Sequence, residues 1–478
     1  MIELINVTYT YPYQEKSAVE NINLKINAGE IVVCTGLSGC GKTTLIRLIN
    51  GLCPHYYKGN LQGQVKICGE DTKDKTISSI SRLAGSLFQD PEQQFFALNV
   101  DDELAFALEC KGESPEQIKS DINKTAADFK ITNILSSSVT SLSEGQKQKV
   151  GLAGIILQKV KVVILDEPTA NLDVESTNEL AEKLNELKKK GYAVLIVDHR
   201  LYWTKDIADR YLVMSKGKII KEGSFDILLD SNFRKEYGLR DIEINDNRGR
   251  LLDCSDSENV CLNIENMSFN YKGKHKIFNN VSFTIPYGVT AILGHNGAGK
   301  TTLARLITGL NKITSGKILL NNKVTDKKIL QSNASLVLQN ADFQLYMRSC
   351  FEEVYTSIDI AHKKMKSDEK VKMTEDILEQ FGLIHLKDRH PQSLSGGEKQ
   401  RLVIACAVAK KPDVIILDEP TSGLDGRNMQ KVAGILNDMA EKGAAVIVIT
   451  HDLELINKVC RFALRLPVEN KNITQKAV

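Results

Sequence analysis

The feature that most limits how this chain can fold is a repeat in register. Two glycine-rich loops, GLSGCGKTT from Gly36 to Thr44 and GHNGAGKTT from Gly294 to Thr302, each follow a β-branched run and precede a helical pattern, LIRLI or LARLI. Landmarks beyond them recur at nearly constant separation: 258 residues between Lys42 and Lys300, and 250 between Gln89 and Gln339. Asp166 and Asp418, Ser143 and Ser395, and His199 and His451 are each 252 apart. Such agreement along a whole half means duplication of an entire domain. The fall from 258 to 250 places eight extra residues in the first half between lysine and glutamine, in the region of CPHYYKGNLQG.

A length of 478 residues would by itself allow about three domains; the repeat reduces the number to two. In each half, apolar strands (IVVCTG, VVILDE and AVLIVDH; then VTAILG, VIILDE and AVIVIT) alternate with helix-like segments. That pattern predicts an α/β core with a mainly parallel sheet. The stretches 101–140 and 350–390 carry no strand pattern and predict a helical subdomain inserted in each half. From Leu229 to Glu258 the hydrophobic periodicity fades, and eight acidic residues face five basic ones. The expected organisation is therefore a first domain at 1–240, a solvated linker at 241–260 and a second domain at 261–478.

The loops carry specific chemistry. Glycines let backbone N–H groups turn inward around phosphate oxygens, and the helix that follows presents its positive end. The two cradles are Gly36, Leu37, Ser38, Gly39, Cys40, Gly41, Lys42, Thr43 and Thr44, and Gly294, His295, Asn296, Gly297, Ala298, Gly299, Lys300, Thr301 and Thr302. Lys42 and Lys300 are expected to reach the β and γ phosphates of a nucleotide, and Thr43 and Thr301 to ligate Mg²⁺. Cys40 sits near a helix N-terminus, a setting that can depress a thiol's pKa, or it is only a small loop residue. Asp166 and Asp418 end apolar strands where a carboxylate can hold Mg²⁺ through water. Glu167 and Glu419, one residue on, are positioned to polarise an attacking water. LSEGQKQ from Leu142 and LSGGEKQ from Leu394 place a serine and a glycine, Ser143 with Gly145 and Ser395 with Gly397, before a helix as further anion cradles.

Lys and Arg total 62 and Asp and Glu 60, a net charge of +2 with neutral histidines. This lacks the basic excess of a nucleic-acid binder, and no nucleic-acid partner is expected. The ten cysteines show no CxxC pair and read as reduced thiols. The N-terminal MIELINVTYTYP alternates like a strand, not a signal peptide. No apolar run approaches the roughly 18 to 20 residues of a membrane helix, so a membrane role would come through a partner.

Phosphate loop, glutamine loop, LSGGQ-like signature, LDE, the ANLD and SGLD turns, and a histidine switch, in that order twice, resemble the ATP-binding-cassette ATPases over nearly the whole chain. The resemblance implies two P-loop NTPase (RecA-like) cassettes packed head to tail, binding ATP and Mg²⁺. It further implies that Lys42, Thr43, Gln89, Asp166, Glu167 and His199 share one ATP with Ser395 and Gly397. Lys300, Thr301, Gln339, Asp418, Glu419 and His451 would share the other with Ser143 and Gly145. Gln89 and Gln339 would reach Mg²⁺ and water, and His199 and His451 the γ-phosphate, although each histidine taken singly also suits a core. Tyr11 and Tyr271 resemble the aromatic residue that stacks on adenine, or are strand filler. Glu144 stands where glycine is usual, bringing negative charge near a phosphate, and Glu398 where glutamine is usual. The Lys300 site is accordingly expected to turn over more slowly.

FQDPEQQFFALNVDDELAFALE and NGLCPHYYKGNLQGQV resemble the ATPases of energy-coupling-factor importers. That likeness implies a peripheral subunit on the cytoplasmic membrane face. It would dock on a separate transmembrane coupling protein, which holds a membrane protein that binds a vitamin or metal ion. Phe95, Phe96, Phe343 and Tyr346 would line a groove for a partner's helix, or pack the helical subdomain. An exporter, a sugar-type importer and a ribosome-acting tandem cassette are the alternatives; the short acidic linker speaks against the last.

Overall fold

A computed structural model of the chain describes residues 1–89, 91–271, 276–295 and 297–468. It divides into two compact units, Met1–Glu243 with Asp425–Arg427, and Ile244–Leu424 with the residues from Asn428 onward.

The first unit is built on a six-stranded sheet in the order Lys218–Gly223, Arg210–Ser215, Ile31–Gly36, Ala193–Val197, Val162–Asp166, Ala84–Leu87. All neighbours are parallel except the outer hairpin. Ile31–Gly36 and Ala193–Val197 are buried at every residue, as near-continuous apolar runs covered on both faces should be. One face meets an antiparallel sheet of Val19–Ile26, Ile2–Thr10, Asn60–Ile67 and Glu70–Asp71. Ile2, Leu4 and Val65 from that sheet share a core with Val32, Ile164 and Leu195, and with Leu45 and Leu48 of the helix Lys42–Ile49. The other face is covered by helical residues, among them Leu104, Val150, Leu152 and Leu184.

The strand-free stretch of the first half forms helices Val100–Glu109 and Pro115–Asp128. Ser114 starts the second of these: its hydroxyl accepts from Gln117 N–H, and Pro115 occupies the first helical position, where its missing N–H costs nothing. The signature helix Glu144–Leu157 completes this subdomain.

The second unit repeats the plan. Its six-stranded sheet runs Leu252–Asp253, Phe462–Arg465, Gly288–Leu293, Ala445–Ile449, Val414–Asp418, Ala334–Val337, all parallel. Its antiparallel sheet runs Lys276–Pro286, Val260–Asn270, Ser315–Leu320, Lys323–Val324. Helices Cys350–Ala361, Ser367–Gln380 and Gly396–Ala409 form its helical part.

The two units differ at one sheet edge. Arg210–Ser215 turns back into Lys218–Gly223, whereas Phe462–Arg465 pairs on its outer side with Leu252–Asp253. The hairpin LVMSKGKIIKEGS thus has no second copy among the described residues. The positions that would match Lys218–Gly223 fall within 469–478, which lie outside the described residues. The stretch read as a solvated linker instead supplies an edge strand. Among the described residues no helix is long and apolar enough to cross a membrane.

Candidate nucleotide site

In the first unit the glycine loop joins strand Ile31–Gly36 to helix Lys42–Ile49. Gly36, at φ +147°, has no room for a side chain, because a Cβ there would stand 2.2 Å from the Met214 carbonyl oxygen. Gly41 caps the helix in the left-handed region without any side-chain cap, so the first-turn N–H groups stay available to an anion. Lys42 is buried, and its Nζ donates to the carbonyls of Gly36 at 2.9 Å and Leu37 at 3.0 Å. The buried Ser38 Oγ has no partner among the described residues. A cradle closed over its own lysine, with an orphaned hydroxyl, fits a triphosphate that supplies the missing acceptors.

Burial overrides the depressing effect of Lys42 and pushes the Cys40 thiol up. Of the two readings of Cys40, this burial favours the small loop residue.

Asp166 ends strand Val162–Asp166, and Glu167 follows at φ +47°, its N–H donating to Val197 O. Gln89 Nε2 donates to Glu167 Oε2 at 3.0 Å, and His199 Nε2 lies 3.5 Å from Glu167 Oε1. Gln89, Glu167 and His199, far apart in the chain, therefore meet at one carboxylate. Burial, then the neighbouring Asp166 and Asp198, pushes the Glu167 carboxyl up to about 8. Burial, opposed by Lys42, pushes Asp166 up to about 6. Burial, followed by Lys42 and Arg240, holds His199 well below the usual imidazole range, so the ring is neutral. Thr43 is exposed on the same helix turn as Lys42. The Tyr11 hydroxyl lies 3.3 Å from Thr44 Oγ1 and accepts from Arg47 Nη1 at 3.0 Å, which fixes the ring beside that helix.

The second unit repeats these elements with different contacts. Gly294, Gly297 and Gly299 have positive φ, and Gly299 caps Lys300–Ile307 as Gly41 caps its helix. Asn296 lies outside the described residues. Ala298 N–H donates to His295 O, closing the loop's turn. Lys300 Nζ donates to Gly294 O at 2.7 Å and lies 3.4 Å from His451 Nε2. Thr301 Oγ1 donates to Asp418 Oδ2 at 3.0 Å, which brings together a hydroxyl and a carboxylate of the kind that hold Mg²⁺. Glu419 accepts from Thr450 Oγ1 at 2.7 Å and from His451 N–H at 3.0 Å. Gln339 is exposed beyond strand Ala334–Val337. Tyr271 accepts from Asn311 Nδ2 at 3.2 Å, and its hydroxyl also bonds Thr302 and Arg305.

Each signature serine starts a helix through a capping box. Ser143 N–H donates to Gln146 Oε1 at 2.9 Å, and Gln146 N–H to Ser143 Oγ at 3.3 Å. In the second copy the Ser395 N–H and hydroxyl both donate to Glu398 Oε2 at 2.8 Å. Gly145 and Gly397 sit within the first turns, and a Cβ on Gly145 would meet Ser176 Oγ at 2.7 Å. Glu144 does not present a bare charge: its carboxylate lies 2.9 Å from Lys147 Nζ, which also holds Glu92 at 2.5 Å. The second unit pairs Lys399 with Asp342 at 2.6 Å.

Sequence reading missed these lysine–carboxylate ties. It also missed Gln94, whose side chain accepts from Phe88 N–H and donates to Ser86 O, and Gln344, which bonds Leu338 and Leu336 in the same way. Their signal was available, since both pairs keep the repeat's spacing of 250 to 252 residues.

The fold and its glycine loops define a tandem P-loop ATPase. The ABC transporter family model matches residues 19–170 and 278–422, and the chain belongs to that family. A Treponema denticola relative, provisionally named an ABC transporter ATP-binding protein, is 36% identical over 473 residues, covering 98% of this chain and 95% of that one. A Bacillus subtilis relative, provisionally named the HMP/thiamine import ATP-binding protein YkoD, is 32% identical over 489 residues, covering 96% and 88%. A structure described as ribosome-bound archaeal Pelota and ABCE1 shares the fold, with a TM-score of 0.69 and 21% identity over 97% of this chain and 76% of that one. The chain is an ATPase that binds ATP with Mg²⁺.

Proposed function

We propose that this ATPase drives an energy-coupling-factor importer of a vitamin or metal ion, docked on the cytoplasmic membrane face against a separate transmembrane coupling subunit. That subunit would hold the solute-binding membrane protein. The observation that carries the reading is a groove in the first unit, lined by Phe88, Phe96, Phe106, Gly151 and Gly154 among others. Phe96 is 80% exposed, and its ring stacks on Phe106 at 5.5 Å. An aromatic pair left open to water beside the glutamine loop suits the apolar face of a partner's helix. Phe95 lines the same groove, half-buried, with its inner side packed against the core. The similarity to an import ATPase of Bacillus subtilis supports the same reading.

In this reading each cassette brings a phosphate loop and a signature to ATP binding. Lys42 and Lys300 leave their own loop carbonyls for the phosphates, and the Ser143 and Ser395 helix starts offer N–H groups to phosphate oxygens. Thr43, Gln89 and Asp166, and Thr301, Gln339 and Asp418, would hold Mg²⁺, which when bound would neutralise phosphate charge. Glu167 and Gln89 orient the water that attacks the γ-phosphorus while ADP departs. Glu167 has the proton affinity to take that water's proton, and neutral His199 can hydrogen-bond the γ-phosphate. Closure around ATP would then reach the partner through the loop from Gln89 to Phe96.

The test is purification of the whole chain in mild detergent, with mass spectrometry of the membrane proteins it carries. The wild-type chain is expected to retain a multi-span protein, and Phe96→Asp to lose it while its melting temperature holds. Loss of fold together with the partner would return Phe96 to core packing. Ribosomes in place of membrane proteins would overturn the importer reading.

A further inference from the structure

The two catalytic glutamates share a backbone but not a side-chain environment. Glu167 and Glu419 both follow a strand-ending aspartate at φ +47°, with the N–H on the neighbouring strand's Val197 O or Ile449 O. The residue after that carbonyl differs: Asp198 in the first unit, Thr450 in the second. Thr450 Oγ1 donates to Glu419 Oε2 at 2.7 Å, and the next N–H, of His451, takes the other oxygen at 3.0 Å.

Asp198 has no hydroxyl to offer in that role: an aspartate side chain brings acceptor oxygens beside Glu167, and their negative charge is one of the causes that raise the Glu167 carboxyl. The Asp198 oxygens are occupied by Thr169 Oγ1 at 2.8 Å, Arg200 N–H at 2.8 Å and Trp203 Nε1 at 3.3 Å. In the second unit the hydroxyl matching Thr169, that of Thr421, is taken by Asp452 at 2.6 Å. The carboxylate that serves this threonine has thus moved two positions along the chain, which vacates position 450 for a hydroxyl donor. With its strand-end neighbour closed to it, Glu167 bonds Gln89 instead.

We infer that Thr450 is a positioning residue that latches Glu419 against its strand end between turnovers, whereas Asp198 leaves Glu167 facing the glutamine loop, so that the two ATP sites are unequally poised. The inference rests on the glutamates being the residues that orient water, as proposed above. A hydrogen bond between a hydroxyl and a carboxylate shifts a two-position equilibrium by roughly tenfold or more. Releasing it should raise turnover where glutamate rotation limits the rate.

The experiment uses the full chain carrying Glu167→Gln, so that turnover reports Glu419. Adding Thr450→Val, which keeps the shape and removes the donor, is expected to raise kcat by roughly three- to tenfold with KM for ATP unchanged. Thr450→Ser, which keeps the hydroxyl, should return kcat to that of the Glu167→Gln parent. An unchanged or lower kcat in Thr450→Val, or equal effects of Val and Ser, overturns the latch. The underlying reading has its own control, Glu167→Gln with Glu419→Gln. If that chain keeps wild-type ATPase, the glutamates are not catalytic, whatever Thr450 does.

Discussion

Lys147 Nζ stands 2.5 Å from a carboxylate oxygen of Glu92, tying the first signature helix to the turn after the glutamine loop. Lys147 is almost fully buried, while Glu92 is half exposed, so the tie sits at the surface end of a packed side chain. Lys147→Met should therefore cost only about 1–2 kcal/mol of stability, less than a fully buried pair would. Thermal unfolding of the nucleotide-free chain checks this. A fall much larger than that would mean the lysine supports the subdomain core as a whole.

The glutamates should contribute unequally. Glu167→Gln leaves only the site with the latched Glu419, whereas Glu419→Gln leaves the one with Glu167. Steady-state assays are expected to show lower residual ATPase in Glu167→Gln, and equal residues of activity would refute the inequality. The direction agrees with the expectation of a slower Lys300 site, but the cause moves. Glu144, the original reason, has its charge met by Lys147.

Stability should depend on pH through Glu167. Its ordinary value is 4.5, and burial with Asp166 and Asp198 raises it to about 8 in the folded chain. The folded state thus binds the proton more tightly, so stability falls as pH rises between those two values and levels off above the higher one. Glu167→Gln cannot ionise. Its melting temperature, without nucleotide, should gain on the wild type from about pH 5 to about pH 8 and hold that lead beyond. A constant or shrinking difference across the window would count against the buried carboxylate.

Thiol labelling should separate the cysteines. Cys110 is exposed, while Cys40 is buried with its thiol pushed up by desolvation. Brief treatment with N-ethylmaleimide at neutral pH, followed by peptide mass spectrometry, is expected to modify Cys110 and spare Cys40. Labelling of Cys40 at a similar rate would reopen its role as a reactive loop thiol.

The phosphate loops and the LDE strands were legible because their chemistry is written over a few consecutive residues. Glycines, a lysine and a following helix leave one arrangement open, and two copies in register exclude chance. What stayed hidden depends on side chains meeting across neighbouring elements. Lys147 and Glu92 are 55 residues apart, and nothing local marks them as a pair. The exchange of Asp198 for Thr450 reads as a minor polar difference until Glu419 is seen beside it. Phe96 and Phe106 could equally have been core. Only their stacking in the open separates Phe96 from its half-buried neighbour Phe95. In the second unit the position matching Phe106 is Thr356, so exposed Phe343 and Tyr346 lack that aromatic floor.

The pairing of Leu252–Asp253 with Phe462–Ala463 bears on whether the halves can be parted. A sheet edge with unmet N–H and C=O groups invites another chain to add a strand. Here the cover for the second sheet comes from residues that precede its first full strand, Val260–Asn270, within the stretch that tails off from the first half. A second cassette cut out at residue 260 would bare part of that edge and risk self-association, while one begun before Leu252 would carry its own shield. Gene duplication therefore did more here than place two copies on one string: the join itself became part of the second copy.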